Sequence, residues 1–179
     1  MSEEYICKRA SLCEMERKWN SEIERNKEDR ENWIVWKQRN LERFKKGQII
    51  VWYGILDGII ICEATAAVHP DAVQNACQLV DQKTAYLSAF RTLPEYQNRG
   101  HFSKLFSFMI DDLQNSGFQN ASIGVEADDL NNKEIYSHFG FTEFIKSAEE
   151  IWPDGTRIQV DYYRKNLSAD EKTSIQTEA

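Results

Sequence analysis

Phe102, Leu105, Phe106, Met109, Ile110 and Leu113 fall at i, i+3, i+4, i+7, i+8 and i+11, one unbroken apolar stripe at helical spacing. This segment limits the fold more than any other, because a helix so one-sided must bury its stripe on a second layer. Gly117 is placed to end it. Ahead of it, Thr84 to Leu93 alternates in part and stops at Pro94, and Glu95-Tyr96-Gln97-Asn98-Arg99-Gly100 turns the chain straight into the helix. After it, Ala121, Ile123 and Val125 alternate with Ser122, Gly124 and Glu126, as a strand does. Strand, helix and strand in that order predict a right-handed crossover that sets the two strands parallel and side by side.

The rest of the chain supplies further layers. Tyr5 and Ile6 lie in a short first strand over residues 4–9. Ser11 to Lys46 contains neither Gly nor Pro and reads as two amphipathic helices, with Leu12, Met15, Trp19 and Ile23 on one and Trp33, Trp36, Leu41 and Phe44 on the other. The charged run Glu24 to Glu31 is the solvated elbow between them. Ile49 to Tyr53 and Ile59 to Ile61 flank Leu56-Asp57-Gly58 and form a hairpin that ends at His69-Pro70. Asn131 followed by Glu134 predicts a capping box, with Leu130 and Ile135 as a hydrophobic staple, for a helix stopped at Gly140. Phe141 to Ile145 and Glu149 to Arg164 make a last hairpin turned at Pro153-Asp154-Gly155. One α/β (α+β) domain over residues 1–167 and a polar, disordered tail over 168–179 are expected.

Charge and composition exclude several functions. With 22 basic against 29 acidic side chains the net charge is -7, which repels phosphate backbones and argues against nucleic-acid binding. The mean hydropathy of -0.61 and the short apolar runs argue against a membrane protein, and the start lacks the features of a signal peptide, so a cytoplasmic location is expected. Cys7, Cys13, Cys62 and Cys77 form no C-x-x-C pair and have no histidine at ligand spacing, so they read as reduced, mostly buried thiols and no metal is expected. His69, His101 and His138 are scattered and are taken as non-catalytic.

A helix start carries unpaired backbone N–H groups and the positive end of the helix dipole, so the turn ending in Gly100 is suited to an anion. Arg99 and Lys104 add positive charge there. The segment Leu93-Pro94-Glu95-Tyr96-Gln97-Asn98-Arg99-Gly100-His101-Phe102, followed by the helix, the strand to Glu126 and then Ile135-Tyr136-Ser137-His138-Phe139-Gly140-Phe141, resembles the GNAT superfamily of N-acetyltransferases. Its phosphate motif reads Gln/Arg, two residues, Gly, one residue, Gly/Ala, and its later signature is a tyrosine helix ending in Gly-Phe. The resemblance is detailed over residues 84–145 and extends to the order of the flanking elements.

That resemblance implies a twisted, mixed and mostly antiparallel sheet, a splayed central parallel pair and helices on both faces. It implies acetyl-CoA as co-substrate, its pyrophosphate cradled by the backbone of Gln97, Asn98, Arg99, Gly100, His101, Phe102 and Ser103. Its pantetheine arm would lie along Phe90, Arg91 and Thr92, and Tyr136 would be the acid that protonates the leaving thiolate. The acceptor implied is the primary amine of a small molecule. A protein or peptide N-terminus and a non-catalytic acyl-CoA-binding module are the alternatives, and a monomer and a homodimer both stay open.

Two positions depart from the pattern. Phe102 stands where the motif has Gly or Ala, and is expected to pack into the helix stripe. Asp129 stands seven residues before the tyrosine where Asn is frequent; Asn131 either caps its helix, the favoured reading, or reaches the pantetheine amides. No motif marks a general base. An amine nucleophile must lose a proton, and Glu63, Glu126 and Asp161 are the carboxylates whose strand positions suit that task, with Glu63 put first.

Overall fold

In the computed structural model the described residues are 4–168, so the tail expected over residues 168–179 lies outside them apart from Ser168. Strand β1 (Tyr5–Arg9) leads into helices α1 (Leu12–Arg25) and α2 (Arg30–Lys45), then β2 (Ile49–Leu56), β3 (Ile59–Ala67) and β4 (Thr84–Thr92). Helix α3 (His101–Asn115), β5 (Asn120–Glu126), α4 (Leu130–His138), β6 (Glu143–Ile151) and β7 (Arg157–Asn166) complete the order. Ser11 and Glu14 form a capping box that starts α1, and residues 26–29 are the elbow before α2. Asp57 and Gly58, both at positive φ, turn β2 tightly into β3.

The strands form one seven-stranded sheet in the order β1-β2-β3-β4-β5-β7-β6, in which β4 and β5 are the parallel pair. Their ladder runs from Thr84 opposite Asn120 to Leu87 opposite Ile123 and stops there, although β4 continues to Thr92 and β5 to Glu126. The pair therefore splays open beyond Leu87. On its other edge β4 stays bonded to β3, with Thr65 opposite Ser88 and Glu63 opposite Arg91, so Ala89 and Phe90 share the space of one β3 residue. Ala89 has φ of 54°, and the extra residue forms a bulge at the point where the strands part.

The sheet is covered on both faces. Helix α3 buries Leu105, Phe106, Met109, Ile110 and Leu113 against Ala64, Ala66, Ala85, Leu87 and Ile123, the stripe that the sequence spacing predicts. Burial of each large side chain contributes roughly 1.5–3 kcal/mol. On the opposite face Met15, Trp19, Ile23 and Trp33 of α1 and α2 pack on Val51, Tyr53 and Ile55. The expected pause between Ile145 and Glu149 is instead part of one strand: β6 runs through it, with an irregularity between Phe144 and Lys146 that lets the strand bend without ending. Cys13 and Cys77 are exposed, Cys7 is half-buried and only Cys62 is buried, so the thiols are less hidden than expected.

Candidate active site

The turn before α3 is built to leave backbone donors open. Gly100, at φ of 78°, is the N-cap residue and provides no side-chain cap, and the first turn holds no acidic residue. The leading N–H groups of α3 therefore face outward with the positive end of the helix dipole behind them. A Cβ at Gly100 would meet nothing within 4 Å, so the space in front of the turn is open. Gln97 Nε2 donates to the Thr92 carbonyl at 3.2 Å, and the Tyr5 hydroxyl donates to the His101 carbonyl at 2.8 Å, which fastens both ends of the turn to the sheet. His101 Nδ1 is buried without a hydrogen-bond partner. Open donors, an orphaned polar nitrogen and room in front of them fit the phosphates of a coenzyme.

Phe90, Arg91, Thr92, Gln97, Asn98, Gly100, His101, Phe102 and Ser103 line one groove of about 540 Å³, together with Asn131 and Tyr136 from α4. It lies where β4 and β5 separate. Arg99 does not line it; its guanidinium sits 5.9 Å from the centre of the Tyr96 ring. Phe102 both lines the groove and packs, its ring 5.3 Å from Phe90, 6.2 Å from Phe106 and 5.7 Å from Phe139. The small residue of the motif is thus replaced by a wall of aromatic rings. Tyr136 stands 5.8 Å from Phe90, and burial, with a smaller contribution from the Asp129 charge, pushes its hydroxyl up to about 12. It keeps its proton at neutral pH and is able to donate it.

The cap of α4 differs from the sequence expectation. Asp129 is the N-cap residue, accepting from the Asn132 backbone at 3.0 Å and from the Asn132 side chain at 2.6 Å. An ionised carboxylate is as good a cap as Asn and has both oxygens to use here. Asn131 is instead an exposed residue of the first turn, turned to the groove. Leu130 is 75% exposed, so the expected staple to Ile135 is absent.

A second cavity, of about 390 Å³, lies between α1 and the ends of β3 and β4 and shares Arg91 and Thr92 with the groove. Its floor is a buried ionic cluster that sequence spacing could not reveal. Lys18 Nζ is 2.5 Å from Glu63 and 3.1 Å from Glu22, contacts that are ionic and not well-aligned hydrogen bonds. Arg91 reaches Glu22 at 3.4 Å and Glu63 at 3.9 Å, and its guanidinium lies 4.1 Å from the centre of the Trp33 ring. The other two carboxylates differ from Glu63. Asp161 bonds Lys133 at 2.7 Å and also Ser147, which together hold its carboxyl below the usual range, and Glu126 is exposed at the end of β5. Among the described residues no group of His, Cys, Asp and Glu is arranged to hold a metal ion, and no helix is long and apolar enough to cross a membrane.

No curated protein matches the sequence. Solved structures do match in fold: yncA, a putative acetyltransferase from Salmonella typhimurium with its cofactor acetyl-CoA, has a TM-score of 0.62 at 15% identity, covering 92% of this chain and 94% of that one. The ribosomal-protein-S18-alanine N-acetyltransferase from Escherichia coli gives 0.62 at 16% identity, with the same coverage of both chains. A GNAT family acetyltransferase from Elizabethkingia anophelis with acetyl-CoA bound gives 0.53 at 14% identity over 71% of this chain and 82% of that one. The sequence model of the Acetyltransferase (GNAT) family matches residues 10–141, a span that takes in α1, the bulged β4, the open turn and the Tyr136 helix. The chain belongs to the GNAT family of acetyltransferases, enzymes that use acetyl-CoA.

Proposed function

We propose that this acetyltransferase moves the acetyl group of acetyl-CoA to the primary amine of a small molecule, by direct attack of the amine on the thioester and without a covalent enzyme intermediate. The observation that carries the reading is the shared groove: the open N–H groups of α3 and the protonated Tyr136 of α4 meet where β4 and β5 splay. In this reading the backbone from Gln97 to Ser103 holds the pyrophosphate, with Arg99 adding charge from outside the groove. The free edge of β4 at Phe90, Arg91 and Thr92 and the side chain of Asn131 hold the pantetheine arm. Tyr136 gives its proton to the thiolate as the C–S bond breaks.

The acceptor enters from the α1 side, where the cavity of about 390 Å³ suits a compact molecule better than a folded protein surface. Glu63, first choice for the base on sequence, is bound to Lys18; to accept a proton it would have to give up that partner, so its main task is to hold Lys18 and Arg91 in the cavity floor. Acceptance of a peptide N-terminus is the second reading, supported by the likeness of fold to the S18-alanine N-acetyltransferase.

The test is release of free thiol from acetyl-CoA by the purified chain with a panel of polyamines, aminoglycosides, amino acids and Ala-initiated peptides. Turnover with small amines and none with peptides is expected. Turnover with peptides alone would replace the first reading by the second, and binding of acetyl-CoA without any turnover would point to a non-catalytic acyl-CoA-binding module.

A further inference from the structure

The charges around the cavity between α1 and the ends of β3 and β4 are sorted by depth. Lys18, Glu22 and Arg25 stand at i, i+4 and i+7, so α1 turns all three toward the cavity, and Arg91 faces them from β4. The carboxylates are withdrawn: the side chains of Glu22 and Glu63 are 9% and 5% exposed, and Lys18 Nζ lies 3.1 Å from one and 2.5 Å from the other. The guanidiniums stand forward, with Arg91 42% and Arg25 49% exposed. Arg91 is shared between Glu22 and Glu63. Arg25 meets Glu95 at 3.8 Å, a long contact between two half-exposed side chains, and Glu95 does not line the cavity. Such a surface pair holds weakly and leaves the guanidinium able to take a better partner.

A hollow of about 260 Å³ continues the cavity outward along α1, sharing Lys18, Glu22 and Arg25 with it and adding Arg17. Together the two spaces are lined by four cations, Arg17, Lys18, Arg25 and Arg91, and by two carboxylates, Glu22 and Glu63. That is an excess of two positive charges in a chain whose net charge is -7. An arginine in the last turn suits the helix dipole, which accounts for Arg25 taken alone; Arg17, in the middle of α1, has no such reason to be there. The excess also lies at one end. The end shared with the coenzyme groove is formed by Arg91 and Thr92, with Glu63 opposite Arg91 in the sheet, and there the reacting amine must stand. The outer end presents Arg25 and Arg17, and Ile60 and Leu93 line both spaces with apolar surface.

We propose that the acceptor is an amino acid, an amine carrying its own carboxylate on a small apolar body, and that Arg25 is the specificity-determining residue that binds the carboxylate. The proposal rests on the reading above that this cavity admits the acceptor amine. Arginine suits the task because its planar fork meets both oxygens of a carboxylate. A polyamine would instead bring a second cation among the arginines, where like charges repel. A peptide N-terminus would place a neutral amide where the carboxylate is wanted. The ammonium form of the amino acid gives up two protons in the reaction: the C–N bond forms as the C–S bond breaks, one proton ends on the thiol by way of Tyr136, and one goes to solvent.

The experiment gives the full chain matched acceptors that differ at the carboxylate: leucine, leucinamide and isopentylamine as one set, 6-aminohexanoate and pentylamine as another, with spermidine added. Thiol release yields kcat/KM for each in the unmodified chain, Arg25→Gln and Arg25→Glu, and calorimetry reads binding separately. In at least one set the carboxylate member should be the better acceptor by about tenfold or more, the least that a charge-assisted pair provides, and spermidine should be poor. Arg25→Gln should bring the members of that set within about threefold of each other, and Arg25→Glu should reverse their order, with the KM for acetyl-CoA unchanged. A merely structural loss would lower all members of a set together and leave their ratio alone. Amines without a carboxylate that match or beat the amino acids in both sets, or a ratio that Arg25→Glu leaves unchanged, would overturn the assignment while acetyl transfer stands. Amino acids bound in preference to the matched amines, with that preference lost in Arg25→Glu but no thiol released, would support the cavity assignment and sink the acetyltransfer reading. Neither binding nor turnover of any acceptor would overturn both.

Discussion

At the scale of single residues, the acid role proposed for Tyr136 depends on its protonation. Tyr136 retains its proton because burial raises its hydroxyl to about 12, so it contributes no loss of activity near neutral pH. Tyr136→Phe should lower kcat by roughly 100-fold while the KM for acetyl-CoA stays within a factor of two, as steady-state kinetics would read. Gly124→Ala tests packing at the first β5 residue past the parallel ladder: the added methyl would stand 2.8 Å from Tyr86 Oη and 2.8 Å from Val160 Cγ1, and should destabilise the fold by about 1–3 kcal/mol in a denaturant titration. Tyr136 and Gly100 could be singled out in the sequence because each stands in a short motif. The buried cluster of Lys18, Glu22, Glu63 and Arg91 could not, since its members come together from α1, β3 and β4 only in the fold. Asn131 was misjudged for a local reason: both Asp129 and Asn131 have side chains that cap helices, and sequence spacing does not say which one bonds the backbone.

At the scale of elements, the strand, turn and helix around Gly100 followed directly from periodicity, as did the two N-terminal helices. What escaped was how neighbouring elements are joined. The bulge at Ala89 adds one residue to β4 opposite β3 and carries no composition signal, because Ala is not a residue that favours φ of 54°. Contacts between distant segments are equally silent in sequence. Arg9 of β1 bonds Asp112 of α3 at 2.6 Å, and Trp52 of β2 donates to the same carboxylate at 2.7 Å. Burial raises the Asp112 carboxyl, but these hydrogen bonds outweigh it and the net pKa is lowered. A carboxyl lowered in the folded state stabilises it fully above the unfolded value of about 3.9 and loses that contribution as pH falls through the folded value. Asp112→Asn should therefore reduce the melting temperature at pH 7, and the difference from the unmodified chain should shrink below about pH 4, as melts across pH would show.

At the scale of the whole molecule, the sheet works as a partition. Helices α3 and α4 provide the groove on one face, and α1, with the ends of β3 and β4, walls the cavity on the other, so the two meet only where the parallel strands separate. The net charge of -7 disfavours an anionic coenzyme in general, yet Arg91 lines the groove and Arg99 and Lys104 flank its turn. Attraction is thus local where the global field is repulsive. The fold was legible because one amphipathic helix and two motifs determine the central crossover; the acceptor side was not, because its cavity is assembled from α1, β3 and β4. The central claim is that the open turn before α3 binds acetyl-CoA. Calorimetric titration of acetyl-CoA into the unmodified chain and into Gly100→Leu tests it most directly. Leucine at φ of 78° should cost about 1–2 kcal/mol of stability and place its side chain in the space the phosphates need. Saturable one-to-one binding by the unmodified chain, weakened at least tenfold in the folded variant, is the predicted result; equal affinity in both, or no binding by the unmodified chain, would contradict it.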